Sequence, residues 1–120
     1  TDDALAVLDA VPGLGLSLDA SHLVVTTHDL ADAVARLGAR VTNVAVKDGS
    51  GTPEDFVFGV LGTGDVDFAA LLAGLAEQGF TGPVTVEHES HQFGDTRPAA
   101  QVLTESLAYV RSVLPTPVPR

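Results

Sequence analysis

Three short apolar runs in this chain end on charged residues, and each is followed by apolar residues at helical spacing. The runs are Leu14 to Leu18, Val41 to Val46 and Pro83 to Val86. They end on Asp19, on Lys47-Asp48 and on Glu87-His88-Glu89. Strands separated in this way by helices run parallel, joined by right-handed crossovers, in an α/β fold. The Val-rich second run, interrupted by Thr42 and Asn43, fits a sheet covered on at least one face. The expectation is a set of parallel βα units with their polar strand ends on one rim.

Spacing and stop signals place the helices. Ala4, Leu5, Leu8 and Val11 predict a helix over Asp2 to Val11, halted by Pro12-Gly13. Leu30, Val34 and Leu37 predict a second, with Gly38 as its stop. Phe68, Leu71, Leu72 and Leu75 predict a third from Asp67 to Gln78, capped by Asp67 and ended by Gly79. The last, Pro98 to Val113, carries the stripe Leu103, Leu107, Val110 and Leu114. Ala20 to His28 reads as a loop or irregular turn. Lys47 to Gly51 reads as a turn cluster, and Pro53 to Leu61 as a loop with an extended piece at Phe56 to Phe58. The Pro-rich tail over residues 115–120 reads as linker-like, which leaves residues 1–114 as the folded unit.

Three parallel strands leave two unpaired edges. Such a sheet is part of a closed barrel, is completed by another chain, or is an unusual open sheet. Self-association is expected of the chain by itself. Sixteen acidic against six basic residues give a net charge of −10, which repels nucleic acid and anionic membranes. No apolar run approaches the ~20 residues of a membrane span, and the acidic start is unlike a signal peptide. The chain has no Cys, so it has no disulfide frame, thiolate zinc site or cysteine nucleophile, and cytoplasm is the default location. With no Trp, five Phe and one Tyr, no aromatic platform for sugars or bases is evident.

Asp and His at strand ends hold divalent metals or move protons, and Glu87 at the end of a Val-rich strand needs a partner for its charge. The plainer readings stand beside these. Asp19 is as readily a turn former or helix cap, and His22 alone is a structural hydrogen-bonder. Lys47-Asp48-Gly49 is a turn. Gly62-Thr63-Gly64 lacks the residues of a phosphate loop. Glu89, His91 and Asp95 fit a solvated loop, and His28 fits the surface near a helix start.

The stretches Leu18-Asp19-Ala20-Ser21-His22, Val44-Ala45-Val46-Lys47-Asp48, Gly62-Thr63-Gly64-Asp65-Val66-Asp67 and Val84-Thr85-Val86-Glu87 together resemble the sugar phosphate isomerase/epimerase superfamily, the xylose isomerase-like TIM barrels. The resemblance implies the C-terminal portion of a (β/α)8 barrel, its last three strands with their helices. It implies Asp19 and Glu87 as ligands of a divalent metal (Mg, Mn or Zn), with His22 beside the site and Glu87 doubling as a proton-transfer group. Lys47 would neutralise an enediolate or a substrate anion. The implied partner is a small sugar or polyol, with an N-terminal half-barrel or a second copy completing the fold. Two departures stand out. The family's metal-binding His falls on Ala45, and its other Glu ligand comes from an earlier strand. Weak or no metal binding is therefore expected. The function implied is an isomerase or epimerase, and the alternative is a metal-free binding or regulatory relative.

Overall fold

Asp19, Asp29 and Asp67 each stand just before a helix and turn their carboxylates back onto its first backbone N–H groups. Such caps satisfy donors that a helix start leaves unpaired. The computed structural model describes residues 1–115. In chain order it holds α1 (Asp2–Ala10), β1 (Leu16–Asp19), α2 (Ala20–Val25), α3 (Leu30–Leu37), β2 (Val41–Val46), β3 (Asp48–Thr52), β4 (Asp55–Gly59), α4 (Phe68–Glu77), β5 (Val84–Val86) and α5 (Ala99–Val113). Short 3-10 turns cover Gly38–Arg40 and Ser90–Phe93. The expected tail lies, from residue 116 onward, outside the described residues.

The expected parallel sheet is present, in the order β1-β2-β5. Asp19 stands opposite Ala45, and Ala45 opposite Thr85. The two-residue period of a strand sorts its side chains onto two faces. Leu18, Val44 and Val46 face the helices and join Val34, Phe68, Leu71, Leu75 and Val110 in the core. Ser17, Asp19, Asn43, Ala45 and Thr85 take the other face. There Asn43 Nδ2 donates to Ser17 Oγ (2.8 Å) and Thr85 Oγ1 donates to Asn43 Oδ1 (3.1 Å). A polar line thus crosses all three strands on the face the helices leave bare.

Three local expectations are corrected. The segment from Ala20 begins with a helix, because Asp19 Oδ1 accepts from the Ser21 backbone N–H at 3.0 Å. The expected turn at Lys47 to Gly51 is instead a strand, β3, which pairs antiparallel with β4, where the extended piece expected at Phe56 to Phe58 is found; the hairpin closes at Pro53-Glu54. Its anchor is Asp48, which is fully buried. Asp48 Oδ1 accepts from the N–H groups of Gly49 and Val66, and Oδ2 from those of Gly62 and Gly64, at 2.8–3.2 Å. This carboxylate ties the hairpin to the loop before α4. A Cβ on Gly64 would run into the Asp48 carboxylate and the Gly49 carbonyl, and Gly62 has φ +83.

The third correction is the buried side of α5. It is Val102, Ser106 and Val110, whereas Leu103 (41%), Leu107 (44%) and Leu114 (45%) are exposed. Across the sheet, α1 buries Leu8 against Ala33 and Leu37 and leaves Val7 (55%) exposed. The helices beside the two outer strands therefore carry uncovered apolar residues, and the strands themselves have an unpaired edge each. Among the described residues, no helix is long and apolar enough to cross a membrane.

Asp48→Asn replaces an acceptor of four N–H groups with a side chain that itself carries an N–H₂. It should destabilise the chain by about 2–4 kcal/mol, measured by urea denaturation; an unchanged midpoint would show that the hairpin is anchored elsewhere. By itself the chain should sediment as a dimer or larger species through its open edges. A folded monomer at all concentrations would contradict that expectation.

Candidate functional site

A side chain at the end of a central strand has a neighbour strand on either side, and Lys47 follows the end of β2. Its Nζ lies 3.1 Å from Asp19 Oδ2 at the end of β1 and 3.1 Å from Glu87 Oε1 just beyond β5. Glu89 Oε2 completes the set at 2.8 Å. The ammonium thus pairs with three carboxylates, and its hydrogen bonds run to Glu87 and Glu89. The Lys47 side chain is 3% exposed, against 17% for Asp19, 30% for Glu89 and 41% for Glu87. The cation is the buried member, and the anions open toward solvent.

Burial alone pulls the Lys47 pKa down, since a charge is poorly solvated there. The hydrogen bonds to Glu89 and Glu87 and the pairing with Asp19 outweigh burial and hold it above the ordinary value of 10.5. The ammonium also lies 4.3 Å from the centre of the Phe58 ring, a cation–π contact.

Asp19 is the helix cap that one of its two readings expected, and its second oxygen meets a lysine. Oδ1 accepts from Ser21 N–H and from Ser21 Oγ (2.6 Å) and caps α2, while Oδ2 faces Lys47. His22 Nε2 lies 3.5 Å from Asp19 Oδ2 and 3.3 Å from Lys47 Nζ, with the side chain 59% exposed. Asp19, His22 and Glu87 thus each reach Lys47. Ala45 is one inward-facing position earlier on β2, and its methyl group offers no electrons.

Sequence reasoning missed two parts of the site. Glu89, expected in a solvated loop, is half-buried on Lys47, because the 3-10 turn that follows folds the loop inward. The second part is aromatic. The hairpin and that turn bring Phe56, Phe58 and Phe93 together with ring centres 5.1–5.9 Å apart, and the His22 ring meets Phe58 edge-on at 5.0 Å. The aromatic and β-branched run Phe56-Val57-Phe58 was the available signal for the second strand of the hairpin. Asp95 is a further correction, since it is not solvated. It accepts from Ser90 Oγ and from the Arg97 side chain, which also reaches Glu105 on α5. The Arg97 hydrogen bonds hold the Asp95 carboxyl well below the usual carboxylate range. His28 is at the surface, as expected, beside Thr26, and His91 is exposed with its ring 5.3 Å from that of His88.

The family model described as "Xylose isomerase-like TIM barrel" matches residues 1–113. The chain belongs to that family. Xylose isomerase-like barrels of known sequence and structure resemble it along most of its length. An L-ribulose 3-epimerase from Methylomonas sp. (strain DH-1) is 33% identical over 97 residues, which cover 79% of this chain and 32% of that protein. A xylose isomerase domain protein from Planctomyces limnophilus superposes with a TM-score of 0.78 at 25% identity, over 93% of this chain and 42% of that one. A xylose isomerase-like TIM barrel protein from Mycobacterium smegmatis, in complex with magnesium, gives 0.70 at 23% identity over 93% and 38%. The chain spans about a third of the length of the curated relatives it matches. With three parallel strands, it is a partial barrel.

In a xylose isomerase-like barrel the carboxyl ends of the strands form the face where chemistry takes place, and the inward side chains lie in layers. Ser17, Asn43 and Thr85 lie on that inward side, and the Lys47 cluster lies beyond them at the strand ends. The divalent metal implied by the resemblance does not fit the residues present. Ala45 supplies no ligand, and an ammonium already bridges Asp19 and Glu87. Among the described residues no group of three or more His, Asp or Glu side chains is arranged to hold a metal ion.

Lys47→Met leaves three carboxylates facing one another and should cost about 3 kcal/mol at neutral pH. Mild acid should recover part of that loss in the variant, because protonation relieves the repulsion. In the native chain the Lys47 pKa is raised on folding, so its stabilisation is complete below 10.5. It is lost only as pH rises through the higher folded value. Thermal melts across pH test both statements; a variant as stable as the native chain at neutral pH would contradict them.

Proposed function

We propose that residues 1–114 are the C-terminal portion of a (β/α)8 barrel that isomerises or epimerises a small sugar or polyol by proton transfer. The observation that carries this reading is the pairing of Glu87 with Lys47, 3.1 Å apart at the carboxyl ends of parallel strands. The similarity to an L-ribulose 3-epimerase supports the same chemistry.

Glu87 is the most exposed of the three carboxylates, so it can reach a substrate. It acts as general base on a carbon next to a carbonyl. Negative charge then develops on the carbonyl oxygen, and the Lys47 ammonium stabilises that enediolate. Lys47 must turn one N–H from a carboxylate to the substrate, and Glu87 frees one when it takes the proton. His22 is the exposed group that relays a proton to the neighbouring position. Asp19 and Glu89 hold Lys47 and accept hydrogen bonds from substrate hydroxyls. Phe56, Phe58 and Phe93 supply an apolar wall for the C–H side of the molecule. Because carboxylates outnumber the ammonium, a neutral sugar or polyol suits the cluster better than a sugar phosphate. No step is routed through a metal.

A second reading is favoured by Ala45: the barrel binds a sugar or polyol without turning it over. Solvent deuterium exchange separates the two. In the complete barrel, NMR should detect deuterium entering a ketose at the carbon beside its carbonyl. Glu87→Gln should slow this by about 10²–10⁴-fold. Ketose binding with no exchange would overturn the catalytic reading in favour of the second.

A further inference from the structure

We infer that the Lys47 ammonium is the resident cation of this site and takes the place of the divalent ion that the family resemblance implies between Asp19 and Glu87. The inference rests on reading Asp19 and Glu87 as the carboxylates that would hold that ion. It does not depend on whether the barrel turns over a sugar or only binds one.

Geometry carries it. Nζ is equidistant, at 3.1 Å, from Asp19 Oδ2 and Glu87 Oε1, and these are the oxygens that an ion joining the two outer strands would use. Divalent ions sit about 2.0–2.6 Å from carboxylate oxygens. An ion bridging this pair would therefore lie within a few ångströms of the ammonium, and two positive charges so close repel strongly.

The lysine is also built in. Its side chain is 3% exposed, is held by Glu89 at 2.8 Å and packs on the Phe58 ring at 4.3 Å. Swinging it out would give up three ion pairs and the ring contact together. Ala45, on the same strand and face, adds no ligand to compensate. The replacement of one cation by another also accounts for Glu89, whose carboxylate is the third to pair with the ammonium.

Titration of the 120-residue chain with Mn²⁺, followed by calorimetry and by the melting temperature, tests the inference. The native chain should show no saturable binding and no rise in melting temperature. Lys47→Ala should bind Mn²⁺ at least about 100-fold more tightly than the native chain, and adding Asp19→Asn should remove that gain. Lys47→Arg keeps the positive charge and should gain nothing. If Lys47→Ala is unfolded without metal, folding on addition of Mn²⁺ supports the inference. Saturable Mn²⁺ binding by the native chain would overturn it, and so would a Lys47→Ala variant that gains no affinity, folded or not. Loss of sugar turnover in the deuterium experiment leaves each of these metal outcomes unchanged.

Discussion

An ammonium with three protons, placed between carboxylates from two flanking strand ends and the loop beyond, is the interaction on which this site depends. It works because β2 is the centre strand. The side chain that follows such a strand can bond to both neighbours, and Lys47 bonds to Asp19 on one side and to Glu87 on the other. Without a cation there, three carboxylates would repel across a gap of a few ångströms. With it, the rim of the sheet is closed by charge where the barrel face is otherwise open. The lysine is thus a structural counter-ion and the cation available to a substrate oxygen.

A further carboxylate, Asp48, is the neighbour of Lys47 in sequence and has the opposite surroundings. It has backbone N–H groups for partners instead of a cation, and it is fully buried. Alternation of side chains explains the split. Lys47 continues the inward face of β2, while Asp48 points back toward the loop that starts α4. One residue therefore builds the site and the next fixes the hairpin that carries Phe58 to it. The site and its apolar wall are two consequences of a single strand end.

The architecture was legible in the sequence because it rests on periodicity. Parallel strands, the helical face Phe68, Leu71, Leu72 and Leu75, and the Asp67 cap all follow from spacing and local hydrogen bonding. The features that were not legible depend on contacts between residues far apart in the chain. Glu89 looks solvated until the turn at Ser90–Phe93 folds it onto Lys47, 42 positions away. The hairpin was hidden because a glycine-rich strand has no apolar alternation of its own. On α5, Leu103 and Leu107 match a helical stripe as well as Val102 and Val110 do. Only the position of the helix beside an open sheet edge decides which pair is covered. Ala45 was visible as a departure from the family pattern, but its meaning needed the position of Lys47.

Anomalous diffraction from crystals soaked in Mn²⁺ tests the central claim, that a side-chain ammonium holds the middle of this site. The account predicts Lys47 Nζ within hydrogen-bond distance of Asp19, Glu87 and Glu89, with no manganese peak between them. A strong peak bridging Asp19 and Glu87, with Lys47 turned away, would contradict it.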